Sequence, residues 1–127
     1  MEHYCIVRTE HLNSHGYLFG GQMLKWVDEY AWIAATREFP GCFLVTIGLD
    51  HVEFKQRIMN GSLLRFEISW VKQSKTTVEY AVTVYARKTD EAAGRHVFST
   101  NITFIRIDED GGKTPLPAAR VETSPVL

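Results

Sequence analysis

The sequence predicts an α+β domain in which one long central helix is wrapped by an antiparallel sheet of about five strands. Three observations predict it. Only one stretch, between Gly20-Gly21 and Phe39-Pro40-Gly41, carries apolar residues at helical spacing: Met23, Leu24, Val27, Ala31, Ala34 and Ala35. Most of the remaining apolar residues alternate with polar ones at period 2, the pattern of a sheet covered on one face. Helices and strands do not alternate along the chain, so a doubly wound parallel sheet is excluded.

The elements follow in order. A short first strand is expected near Tyr4 to Thr9, followed by a loop from Glu10 to Gly16 rich in turn residues. The helix is opened by Gly20-Gly21 and closed by Pro40-Gly41. A strand from Phe43 to Phe54 changes phase, with Phe43, Val45, Ile47 and Leu49 on one parity and Val52 and Phe54 on the other; a bulge near Asp50-His51 accounts for this. Leu64, Phe66, Ile68 and Trp70 mark the next strand, and Val78, Tyr80, Val82 and Val84 the one after. Gln73-Ser74-Lys75 connects these two as a hairpin. Phe98, Ile102 and Phe104 mark the last strand, which ends at Asp108 to Gly112. Residues 1–117 read as one domain, with an extended C-terminal tail over 118–127.

Length and composition fit this reading. The 127 residues suit one compact domain, and 45% hydrophobic with 23% charged residues is ordinary for a globular protein. The longest apolar run, Tyr30 to Ala35, falls far short of the ~20 residues of a membrane span. No secretory signal is visible at Met1-Glu2-His3-Tyr4, and a cytoplasmic location is expected. The net charge of −1 argues against general nucleic-acid binding. Cys5 and Cys42 read as two reduced, partly buried thiols rather than a disulfide framework. The five histidines are scattered, with only His11 and His15 close together in a loop, so no metal is expected.

The segment from His11 to Glu29 is the richest in candidate chemistry. Gly20-Gly21 at a helix start leaves backbone N–H groups free to stabilise negative charge, including the oxyanion of acyl transfer. The same glycines also serve simply to permit the turn. Asp28 lies on or beside the apolar stripe, where partial desolvation suits a general base or nucleophile; the alternative is a helix-flank Asp paired with Lys25. No Gly-x-Ser-x-Gly elbow, dinucleotide fingerprint or P-loop occurs. Any hydrolysis therefore uses a carboxylate, with help from Asn13 and backbone N–H groups. Basic residues gather at Lys72 and Lys75 and at Arg87 and Lys88, either as phosphate contacts or as solubilising charge at strand ends.

Asn13, Gly16, Phe19-Gly20-Gly21, Met23 and Asp28 resemble the signature of the acyl-CoA thioester hydrolases of the hotdog fold. The resemblance continues through Val45-Thr46, Phe54, Gly61, and Phe104 to Asp108 with Gly111 and Pro115, and covers roughly residues 4 to 117. It implies hydrolysis of acyl-CoA to a free fatty acid and CoA. By match of position, Asp28 is the catalytic carboxylate and Asn13 its polar partner. Gly20 or Gly21 supplies the N–H for the thioester oxygen, and Thr46 lies near the site. Phe19, Lys72 and Lys75 are implied on the substrate, the two lysines at CoA phosphates. No cofactor is implied, CoA being part of substrate and product.

Departures from the family pattern fall at His11, at Lys55-Gln56-Arg57-Ile58 where a proline is common, and at Ser62. Gly21 and Asp28 are about 10 Å apart along a helix, too far for one chain to bring them together. The family builds its site across a two-fold dimer, so the resemblance implies a homodimer as the minimal unit, within a tetramer or hexamer. Two further readings are a hydratase or dehydratase of acyl thioesters, disfavoured by a helix without His, and a non-catalytic acyl-CoA-binding module.

Overall fold

The computed structural model describes residues 1–118. Of the expected tail over 118–127, all but Ala118 lies outside the described residues. The chain order is β1 (Glu2–Ile6), a 3-10 turn (Thr9–His11), α1 (Gly20–Glu38), β2 (Phe43–Phe54), β3 (Leu63–Gln73), β4 (Thr77–Arg87) and β5 (Arg95–Ile107). The five strands form one antiparallel sheet in the order β1-β3-β4-β5-β2, which leaves β1 and β2 at its edges.

The helix obeys its terminal residues. Phe19 is extended, and its carbonyl accepts the N–H groups of Gln22 and Met23. At the other end Pro40 cannot continue the ladder, and Gly41 takes a φ of 85°. Met23, Trp26, Val27, Ala31, Ala34 and Ala35 are buried against the sheet. The buried face thus combines the small Ala31, Ala34 and Ala35 with the large Met23 and Trp26.

The inner face of the sheet supplies the other half of the core. Leu64, Phe66 and Ile68 of β3 face Ala86, Val84 and Val82 of β4 across the ladder. Val78, Tyr80 and Val84 in turn face Phe104, Ile102 and Phe98 of β5. Each fully buried aromatic here contributes roughly 2–3 kcal/mol of transfer free energy.

β1 ends earlier than the sequence suggests. It stops at Ile6, because Val7 turns into the core and exchanges backbone hydrogen bonds with Gly61 and Ser62. The Arg8 N–H then donates to His11 Nδ1, closing the 3-10 turn where strand was expected.

The phase change in β2 lies where expected. Its register against β5 shifts between Asp50 and Glu53, with His51 at a φ of 54°, and again between Thr46 and Gly48. The Asp50 carbonyl freed at the bulge accepts the hydroxyl of buried Thr100 at 2.8 Å. Beyond the bulge, Phe54 turns back over the core and meets the Phe98 ring edge-on, with centroids 4.8 Å apart. The apolar residues before the bulge divide between core and solvent, with Leu49 packed against the core. Leu44 is buried, whereas Phe43, Val45 and Ile47 are exposed.

Candidate active site

The loop before the helix is organised by Asn13. Its Oδ1 accepts the N–H groups of His15 (2.9 Å) and Tyr17 (3.1 Å), and its backbone N–H donates to the Tyr17 carbonyl. Gly16 permits the turn with a φ of 85°. With the carboxamide oxygen engaged, Asn13 can offer its surroundings only the NH2 donors. Leu18 N–H donates to the Ile58 carbonyl, and Phe19 N–H to the His11 carbonyl, so the chain reaches the helix on fixed rails.

Asn13 and Gly20 line one cleft of about 330 Å³, together with Tyr17, Met23, Phe54 and Arg57. The N–H groups of Gly20 and Gly21 have no acceptor among the described residues, as expected for the first turn of a helix. The Phe54 ring closes over Gly20, where an added Cβ would sit 3.4 Å from it. Phe19 folds its exposed ring across Gly21 and does not line this cleft.

Asp28 lies elsewhere in the same chain. It is exposed, on the face of α1 that carries Lys25 and Trp32, so the partial burial expected from the apolar stripe is not supplied by its own helix. It makes no ion pair with Lys25 among the described residues. Instead the Thr46 hydroxyl donates to Asp28 Oδ1 at 2.6 Å. One helical turn later Trp32 Nε1 donates to the Leu44 carbonyl at 3.2 Å. The spacing matches: four residues of helix rise about 6 Å, and two residues of strand about 6.6 Å. Two hydrogen bonds thus clamp α1 to edge strand β2 and fix the Asp28 rotamer. Asp28, Thr46 and Trp32 line a second cleft of about 380 Å³.

Lys72 and Lys75 sit at and just beyond the end of β3, beside the hairpin into β4, and line neither cleft; Lys72 pairs with Glu79 at 3.8 Å. Cys5 takes no part in such chemistry, since burial pushes its thiol up to about 11 and keeps it protonated near neutral pH. Arg57, Tyr17 and Trp32 are the site residues that sequence reasoning did not single out. Arg57 and Tyr17 come together only through the isolated Tyr17–Met59 bridge, a pairing that no local pattern announces.

Comparison with known proteins settles the family. A profile described as the thioesterase superfamily matches residues 15–93, more than half of the chain. The chain belongs to the thioesterase superfamily. It is 29% identical to the protein VdlD of Helicobacter pylori over 120 residues, covering 94% of this chain and 67% of the relative. It is 31% identical to the acyl-CoA thioester hydrolase YkhA of Bacillus subtilis, itself uncharacterized, over 116 residues, covering 87% of this chain and 64% of YkhA. It thus spans about two thirds of the length of either. Among solved structures it resembles Cj0915, a hexameric hotdog fold thioesterase of Campylobacter jejuni, with a TM-score of 0.81 and 27% identity over 90% of this chain and 87% of that one. The helix wrapped by five antiparallel strands is the hotdog fold.

Proposed function

We propose that this thioesterase hydrolyses acyl-CoA thioesters to a free fatty acid and CoA, at sites shared between two copies of the chain. The reading extends to this chain what the names of its relatives state of them. One observation carries it: the donors and the acid lie in different clefts. Asn13 and Gly20 line the first, which holds no Asp or Glu, and Asp28 lies in the second. Neither cleft alone brings the N–H groups of the helix start together with a carboxylate.

A two-fold partner repairs the division. β2 is an edge strand with unpaired backbone groups, and its own Phe43 and Ile47 are 63% and 55% exposed. Pairing of β2 with β2 of a second copy would continue the sheet and bring α1 of each chain beside the other. Asp28 of one copy would then meet Asn13 and Gly20 of the other. A homodimer is the minimal unit in this proposal, inside a tetramer or hexamer. Residues 1–117 form its single catalytic domain.

In the reaction, Asp28 takes a proton from water while the oxygen attacks the thioester carbon. The Gly20 or Gly21 N–H receives the developing oxyanion, and Asn13 donates to the thioester or its oxygen. Collapse breaks the C–S bond, and the CoA thiolate takes the proton back from Asp28. A second route has Asp28 attack the carbon directly and break the C–S bond, expelling the CoA thiolate, which takes a proton from water; the resulting anhydride is then cleaved by water to the free acid and Asp28. Thr46 positions the carboxylate in both. Phe19 would flank the substrate from beside Gly21. Lys72 and Lys75, lining neither cleft of their own chain, would reach CoA phosphates held by a neighbouring copy. No cofactor enters, and a cytoplasmic setting completes the proposal.

Release of free thiol from a panel of acyl-CoA esters tests the reading. Wild-type protein should turn over at least one ester, and Asp28→Asn should lose a factor of ~10² or more in rate with its circular dichroism unchanged. Near-normal turnover by a folded Asp28→Asn would remove Asp28 from the mechanism.

A further inference from the structure

We propose that Arg57 is the anion-binding residue of the Asn13–Gly20 cleft, and that its guanidinium takes a charged oxygen of the bound substrate. The inference rests on the thioesterase reading of that cleft and adds a residue to it.

The segment carrying Arg57 is fixed at both ends. Lys55 N–H donates to the Val97 carbonyl at 2.8 Å, and the Ile58 carbonyl accepts Leu18 N–H at 2.8 Å. Ile58 is buried in the core, so its neighbour Arg57 is turned to the cleft side. There the guanidinium lies over the Tyr17 ring, 4.8 Å from its centroid, and Nη1 donates to the Tyr17 hydroxyl at 3.3 Å. Stacking on an aromatic face holds a guanidinium flat and leaves most of its five N–H donors for another partner. Among the described residues no carboxylate pairs with Arg57.

Charge in the cleft is one-sided. Lys55 and Arg57 line it, and no Asp or Glu does. Lys55 is offset by Glu53 at 3.3 Å, which leaves Arg57 as the uncompensated cation. Of the other polar groups lining this space, the Asn13 NH2 and the Gly20 N–H are donors, while the Gln56 carboxamide and the Tyr17 hydroxyl can both donate and accept. A free guanidinium beside these donors, with no carboxylate in the lining, selects an occupant rich in acceptors and negatively charged. An acyl-CoA has such oxygens at its phosphates, and at the far end of the acyl group when that group carries a second carboxylate. Both present the same chemistry to Arg57.

The test is steady-state hydrolysis by Arg57→Gln and Arg57→Lys with three probes: acetyl-CoA, succinyl-CoA, and the acetyl thioester of pantetheine, which lacks phosphate. If Arg57 holds a phosphate, Arg57→Gln raises KM for both CoA esters on the order of 10-fold, with kcat within about 2-fold, and leaves the pantetheine ester unchanged. If it holds an acyl carboxylate, only succinyl-CoA shows the rise. In either case Arg57→Lys recovers part of the loss, and the gap between wild type and Arg57→Gln narrows as salt is raised. Unchanged KM on all three probes, an equal loss on the uncharged pantetheine ester, or a fall in kcat alone would overturn the assignment. Should the wild type hydrolyse none of the three probes, the thioesterase reading is decided by the wider acyl-CoA panel and fails if no ester there is cleaved. Arg57 is then judged by calorimetric binding of CoA and succinyl-CoA: weaker binding by Arg57→Gln supports it, and equal or absent binding overturns it.

Discussion

Gly21 stands so close to Phe19 that a Cβ would meet the ring at 2.6 Å. Phe19 is 56% exposed, so the ring can swing aside. Gly21→Ala should therefore change stability by less than about 1 kcal/mol, since alanine also favours the helix. If the glycine only served the turn, activity would survive as well. If substrate approaches the Gly21 N–H, the methyl group intrudes where the thioester oxygen sits, and kcat should fall at least ~10-fold. Thermal unfolding and turnover measured on the same variant separate the two roles that the sequence left open. Thr46→Val examines the neighbouring residue. It keeps the shape of the side chain, removes the 2.6 Å hydrogen bond to Asp28, and frees the carboxylate to rotate. It should lower kcat about 10-fold with little change in KM; a wild-type kcat would mean that the clamp does not position Asp28.

At the scale of elements, the titrating groups wedged between α1 and the sheet predict how the fold responds to alkali. Burial pushes Cys5 of β1 up from 9.0 to about 11 and Tyr30 of α1 up from 10.0 to about 12. Tyr80 of β4 is raised by burial and by its hydrogen bond to Glu38. All three stay neutral in the folded chain at pH values where the unfolded chain ionises. Their contribution is complete below about pH 9 and is lost as pH climbs from there toward about 12. Urea midpoints should fall steadily over that window, and Tyr30→Phe should flatten the slope. A slope unaltered in Tyr30→Phe would remove that residue from the linkage. The elements themselves differ in how well the sequence announces them. Helix bounds were legible because Gly-Gly and Pro-Gly punctuate an uninterrupted apolar stripe. β3, β4 and β5 were legible because both their neighbours lie within the chain and one face is buried. The end of β1 is not legible, because the turn of Val7 into the core depends on Gly61 and Ser62, remote in sequence. The phase break of β2 was legible, but not that Phe43, Val45 and Ile47 would be left facing solvent, since the face an edge strand buries depends on what lies beside it. The same limit divides the candidate site. Asp28 and Asn13 stand out by residue type and spacing, whereas the clamp of Asp28 and Trp32 onto β2 and the stacking of Arg57 on Tyr17 arise from tertiary pairings.

The whole molecule decides whether the two clefts make one site. If Asn13 and Asp28 of a working site come from different chains, Asn13→Ala and Asp28→Ala homo-oligomers should each be nearly inactive. Unfolding the two variants, mixing them in equal amounts and refolding them together lets mixed dimers form. In a mixed dimer one site draws Asn13 from the chain that kept it and Asp28 from the chain that kept it, and is intact. The other site lacks both. Random pairing makes roughly half of the dimers mixed, each with one good site of two, so about a quarter of wild-type activity should return. The expectation does not depend on whether dimers assemble further into tetramers or hexamers, provided each site lies within one two-fold pair. It rests on the rise of about 12 Å along α1 between Gly20 and Asp28 and on their placement in separate clefts. A site contained within one chain gives a different result, because every chain in the mixture lacks one of the two residues. Activity no higher than the mean of the two parents, in a sample shown by mass spectrometry to contain mixed dimers, would refute the shared site.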